Sequence, residues 1–170
     1  LDEGHEAPGG IAAAFAARSR DEWVAELERD WPMLDLLVNN AGGGVVSTVA
    51  DMSPKGQAAL IAENFTQVAD VTRRCLPLLR SSHAAGGASI VNITSVEAHR
   101  AGPGFGIYSA MKSAVTSLTR TLALELAGDR IRVNAIAPDM TPTPGDAGLI
   151  EDSGAMSATE WAATPWPERG

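Results

Sequence analysis

Positive charge is scarce in this chain. Against 21 Asp and Glu stand 13 Lys and Arg, a formal net charge of −8 over 170 residues. A surface built to neutralise nucleic-acid phosphates needs the opposite balance, and no local cluster of Lys and Arg supplies it. Cysteine is scarcer still. Cys75 is alone, so no intrachain disulfide can form, which fits a reducing cytoplasm. Long apolar runs are missing, and nothing approaches the ~18 residues that would span a membrane. The opening stretch, L-D-E-G-H-E-A-P-G-G, lacks the apolar core of a signal peptide. His5, His83 and His99 show no metal-ligand spacing and are expected on the surface or in loops. The run Gly102-Pro103-Gly104-Phe105-Gly106 does not follow a strand directly and lacks the G-x-G-x-x-G spacing, so it reads as a loop placing Tyr108, not as a phosphate loop. No internal repeat is visible. What remains is 45% hydrophobic and 20% charged, as expected for one globular domain with a sizeable core.

Chemistry concentrates in the stretch Ser95–Lys112, S-V-E-A-H-R-A-G-P-G-F-G-I-Y-S-A-M-K. Tyr108 and Lys112, at i and i+4, share one face of a helix. A phenol titrates near pH ~10 and alone is a poor base at neutral pH. A lysine ammonium held beside it favours the phenolate. Tyr108 is then able to exchange a proton with an alcohol or carbonyl oxygen, and Ser95 to hydrogen-bond the same oxygen. Tyr-x-x-x-Lys alone is equally an ordinary helix-surface pair.

The surroundings decide between these readings. Ser95 ends the apolar run 89–94, which reads as a buried strand. Asn39-Asn40-Ala41-Gly42 follows the run Leu36-Leu37-Val38, and Val133-Asn134-Ala135-Ile136-Ala137-Pro138 closes a third strand. Asn64 stands 31 residues before Ser95 in a helical pattern. This ordered set resembles the classical short-chain dehydrogenase/reductase family over residues 10–144, in N-N-A-G, the helix asparagine, S-x12-Y-x3-K and the strand ending V-N-A-I-A-P.

The resemblance implies an α/β fold, a Rossmann-like doubly wound parallel sheet with helices on both faces. It implies hydride transfer between NAD or NADP and a small alcohol or ketone. Tyr108 would be acid/base, Lys112 its electrostatic partner and ribose contact, Ser95 the oxygen's donor, and Asn64 the holder of a water on a proton path to Lys112. Asn40, Ala41, Gly42, Tyr108, Lys112, Pro138, Asp139 and Thr143 would contact the cofactor. Asp139 stands where the family usually has glycine, adding a charge and a Cβ. Arg18 stands where the family usually has an aspartate near the adenine. The helices carrying Asn64 and Tyr108 would pair with their copies in a homodimer or homotetramer, through Leu76 and Leu79 on one and Leu124 on the other. Residues 145–170 would be the substrate lid, with Trp161 and Trp166 lining a pocket or packing in the core.

Along the chain, Ile11–Ala17 is a weak strand candidate, the third strand of the family by resemblance. Asp21 is expected to cap a helix with Trp23, Leu27 and Trp31 on one face, ended by Pro32. Residues 35–38 read as a short buried strand. Ser53 is expected to cap a helix striped by Ile61, Phe65, Val68, Val71, Cys75 and Leu78, with Asn64 just off the stripe. Met111, Val115, Leu118 and Leu122 share a face of a helix over about 108–127, stopped by Gly128. No first strand with a glycine-rich pyrophosphate turn is present, nor the family's last helix and strand. The 170 residues therefore read as a single partial dinucleotide-binding domain, with a catalytically inactive fragment, at most an interaction module, as the rival. In the family order 3-2-1-4-5-6-7, such a piece would leave the edge of Leu36-Leu37-Val38 unpaired, and is expected to be poorly stable and to bind NAD(P)(H) weakly.

Overall fold

The computed structural model describes residues 20–139. The expectations for Ile11–Ala17, Arg18, Thr143, Trp161, Trp166 and the lid fall outside them. In chain order the elements are α1 (Arg20–Asp30), β1 (Leu36–Asn39), α2 (Pro54–Ile61), a π-helical turn (Ala62–Thr66), α3 (Gln67–Arg80), β2 (Ser89–Ile93), a short 3-10 turn (Val96–Ala98), α4 (Gly106–Glu125), a second 3-10 turn (Ala127–Asp129) and β3 (Arg132–Ile136). The three strands form a parallel sheet in the order β1-β2-β3. Parallel neighbours need crossovers, and α3 and α4 supply them. The α/β, Rossmann-like expectation is met.

The pairing aligns Leu37, Ile90 and Val133 in one row. With Cys75 and Leu79 of α3, and with Ala88, Leu126 and Ile131, they make the core. Cys75 acts there as a small, fully buried apolar side chain. The opposite face of the sheet differs from expectation. β1 is not buried on both sides: Leu36 and Val38 are 55% and 50% exposed, because no described element covers that face. β1 and β3 are edges of the sheet among the described residues.

Several local expectations need correction. Helix α1 already includes Asp21 in its first turn, so Asp21 is not the residue before the helix. Its buried residue is Val24, between the half-buried Trp23 and Leu27, while Trp31 is exposed. Leu79, assigned to a subunit interface, is buried in the core, whereas Leu124 is exposed. Helix α4 starts two residues before Tyr108, at Gly106, and the left-handed residue that ends the following turn is Arg130 (φ 57°), not Gly128. Gly87 explains that position. Its φ is +73°, and a Cβ there would lie 1.9 Å from the Arg130 carbonyl oxygen, so the two turns meet backbone to backbone. Ser53 does cap α2, accepting a bond from the Gly56 amide at 3.1 Å, with Pro54 at the first helical position.

Candidate active site

Two groups of polar side chains are buried beside the sheet. The first is a layer across it. Asn39 ends β1 and donates through Nδ2 to Thr72 Oγ1 of α3 (3.0 Å) and to Asn92 Oδ1 of β2 (2.8 Å). Asn92 Nδ2 donates to Thr119 Oγ1 of α4 (2.8 Å), and the Thr119 hydroxyl donates to the Val115 carbonyl (2.8 Å). All four side chains are buried and bonded, as buried polar groups must be. This layer ties both helices to two strands just below their carboxyl ends.

The second group lies one step further along the chain. After Asn39 the backbone leaves the sheet through Asn40, Ala41 and Gly42, all exposed. Asn64 faces this turn from the π-helical segment and is buried, 1% exposed. Its Nδ2 donates to the Gly43 carbonyl at 2.8 Å and to the Leu60 carbonyl at 3.0 Å. The widened turn brings Asn64 into the site while the helix continues as α3, a common use of π-turns. Asn64 Oδ1 is buried and has no partner among the described residues.

Lys112 enters from α4, 6% exposed, and donates from Nζ to the Ile93 carbonyl at 3.1 Å. Burial pushes its ammonium below the ordinary lysine pKa. Nζ lies 5.5 Å from the centre of the Tyr108 ring. Tyr108 is half-buried, edge-on to Phe105 with ring centres 6.2 Å apart. Ser95, buried and extended (φ −163°), follows β2 two residues after the carbonyl that Lys112 holds. Its Oγ accepts from the Glu97 amide at 3.2 Å. The Val96 amide donates to the Pro138 carbonyl (2.9 Å) and the Thr94 amide to that of Ile136 (2.8 Å), joining the ends of β2 and β3. Lys112, Tyr108, Asn64 and the Gly42 turn are thus brought together, and Lys112 is bonded to the strand that leads into Ser95.

Of the other expected cofactor contacts, Pro138 is half-buried and Asp139 exposed at the end of β3. Arg100 holds the Asp139 carboxylate (Nη2–Oδ1 2.9 Å) and Glu97 (Nε–Oε1 3.0 Å). The sequence reading missed Arg100. The partners are 39 residues apart, and no local pattern announces the pair. Exposed ion pairs of this kind contribute little to stability, so its effect is to occupy the extra charge at Asp139.

The glycine turn fits a nicotinamide cofactor. A Cβ on Gly42 would lie 2.8 Å from Asn64 Oδ1 and 3.4 Å from Lys112 Nζ, and one on Gly44 would lie 3.7 Å from the Tyr108 ring. Without those carbons a ligand can approach the backbone here, at the carboxyl ends of parallel strands, with an ammonium donor and an unpaired amide oxygen at hand.

A family model described as Enoyl-(Acyl carrier protein) reductase matches residues 15–169. The chain is 37% identical over 130 residues to the 3-oxoacyl-[acyl-carrier-protein] reductase FabG of Thermotoga maritima, covering 76% of this chain and 52% of the relative. It is 39% identical over 160 residues to 3beta-hydroxysteroid dehydrogenase 1 of Eggerthella lenta, covering 91% and 60%. The solved Pseudomonas aeruginosa RhlG/NADP active-site complex superposes with a TM-score of 0.72 at 33% identity, over 85% of this chain and 57% of that one. The chain therefore spans between half and two thirds of the length of these relatives.

Proposed function

The chain belongs to the short-chain dehydrogenase/reductase family, and from that premise we propose that the protein carrying it transfers a hydride between NAD(P)(H) and a small alcohol or ketone. The observation that supports this most is the buried Lys112 ammonium, held by the Ile93 carbonyl beside the Tyr108 ring and the Gly42 turn. A buried ammonium is costly, and its retention next to the helix's tyrosine suits a site that moves protons.

The hydride comes from, or returns to, the nicotinamide when the cofactor is bound. Asn40, Ala41, Gly42, Tyr108, Lys112, Pro138, Asp139 and Thr143 would hold that cofactor. In the reductive direction Tyr108 gives its hydroxyl proton to the carbonyl oxygen as the hydride reaches the carbon, and an alcohol results. The Ser95 hydroxyl donates to the same oxygen and fixes its place. Lys112 stabilises the phenolate that Tyr108 becomes. The free Oδ1 of Asn64 offers a seat for a water on the path that returns the proton.

The same reading places the protein in the cytoplasm, with Cys75 reduced in the core. It also pairs α3 and α4 with a second copy, where Leu124 is 82% exposed. The rival reading, an inactive interaction module, draws no support from relatives named as reductases and dehydrogenases. Tyr108→Phe tests the assignment in the protein that carries this sequence. Turnover, followed by NAD(P)H absorbance, is expected to fall at least ~100-fold while cofactor affinity stays within about twofold. Unchanged turnover would refute the role of Tyr108.

A further inference from the structure

Next to Tyr108, the loop after the glycine turn exposes three β-branched apolar side chains. Val45, Val46 and Val49 are 48%, 48% and 66% exposed. Single exposed apolar residues need no explanation, but three on one short loop beside a candidate site do. Their exposure is not forced by a slack loop. The Ser47 amide donates to the Gly104 carbonyl (2.9 Å), and the Asp51 amide to both the Thr48 carbonyl and its hydroxyl (3.2 Å each). The loop is braced by its polar atoms, and the valines are left facing outward.

They are also continuous with the tyrosine. A Cβ on Gly104 (φ +83°) would lie 2.7 Å from Val46 Cγ1, and one on Gly106 would lie 3.0 Å from Val49 Cγ2. Val46 and Val49 therefore lie against the backbone on either side of Phe105, whose ring meets that of Tyr108. Gly104 and Gly106 thus have a use that the sequence alone did not disclose: they let the valine loop seat against the start of α4. The result is an apolar surface that begins at the Tyr108 ring. Two carboxylates are near this segment: Asp51 follows the valines on the loop, and Glu63 Oε2 would lie 3.2 Å from a Cβ on Gly43, two residues before Val45.

We propose that Val45, Val46, Val49 and Phe105 form a subsite for the neutral hydrocarbon body of the substrate, whose oxygen meets Tyr108 and Ser95. This rests on the oxidoreductase reading above and narrows its substrate to apolar alcohols or ketones without an anionic group on the hydrocarbon body. Burial of each further methylene against the valines strengthens binding, and the nearby carboxylates repel a negative substituent.

The test uses ligand-observed NMR titration of the cofactor-loaded protein with 2-alkanones of four to eight carbons. Affinity is expected to rise about two- to fourfold per methylene. In Val45→Ser/Val49→Ser, whose altered side chains are exposed, the melting temperature is expected to stay unchanged and the gradient to disappear. A carboxylate at the far end of the longest ketone is expected to erase the gain. A flat series in the native protein, or a gradient that survives the double substitution, overturns the subsite, and tight binding of the carboxylate overturns its neutrality. The matching 2-methyl-1-alkenes, with CH2 in place of the oxygen, separate the two levels. If they bind as well as the ketones while the gradient still depends on the valines, the apolar subsite stands and the oxygen-binding site of the oxidoreductase reading falls.

Discussion

Asn39 and Asn64 are both buried asparagines near the carboxyl end of β1, and their surroundings could hardly differ more. Asn39 belongs to a closed layer with Thr72, Asn92 and Thr119 in which the hydrogen bonds run from strand to strand and strand to helix. Asn64 has its amide nitrogen bonded and its oxygen buried without a partner among the described residues, close to where a Cβ on Gly42 would sit. Beside it Lys112 carries a charge where burial disfavours one. Satisfied polar groups lock a fold, and unsatisfied ones leave something for a ligand to do. The first cluster is closed scaffold and the second is the one we propose as machinery, although α4 contributes to both, with Thr119 in one and Lys112 in the other.

The comparison is broken most forcefully from the scaffold side. Asn92→Leu leaves Asn39 Nδ2 without its strand partner in a fully buried place and removes the donor to Thr119. A loss of about 3 kcal/mol is expected from urea unfolding of the intact protein. A loss below about 1 kcal/mol would mean that the layer does not lock the sheet.

Gly42→Ala probes the machinery. Its new Cβ would meet Asn64 Oδ1 at 2.8 Å, so Asn64 or the turn must shift. Gly42 is exposed and Asn64 Oδ1 is the end of a side chain, so stability is expected to change by less than about 1 kcal/mol. Turnover is expected to fall on the order of tenfold, since small displacements of positioning groups are felt in the rate. Equal losses in stability and rate would erase the distinction between the clusters.

The smallest effect is in pH. The folded pKa of Lys112 lies below its ordinary value of 10.5, so in the interval between them the unfolded chain holds the extra proton. Stability then rises with pH across that interval, and this contribution is absent in Lys112→Met. Unfolding curves of the two proteins between neutral and alkaline pH give the difference, and parallel profiles would show that the ammonium is not desolvated.

How much of this was legible in the sequence follows the range of each interaction. The three strands were found within a residue or two because their apolar runs are local, and Ser53 was found because a cap acts within one turn. The resemblance singled out Asn64, Ser95, Tyr108 and Lys112 by spacing, and the fold accounts for part of that spacing: a π-turn turns Asn64 inward, and Lys112 reaches back 19 residues to Ile93. Asn39 was read only as the start of a turn motif, and Asn92 was passed over as a member of the apolar run 89–94. Their partners stand 53 and 27 residues away, and nothing local reveals them. Leu79 was misread for a related reason. A leucine on a second helical stripe looks like an interface residue until packing against Leu37 and Ile90 of the sheet places it inside.

The most direct test of the division between scaffold and machinery is the turnover of Lys112→Met in the protein that carries this sequence. Methionine approximates the aliphatic stem of lysine and removes the buried charge, so the fold is expected to be retained, with stability equal or higher. Hydride transfer, measured by NAD(P)H absorbance with cofactor at saturation, is expected to fall on the order of a thousandfold. Turnover within a few-fold of the native rate would contradict the account.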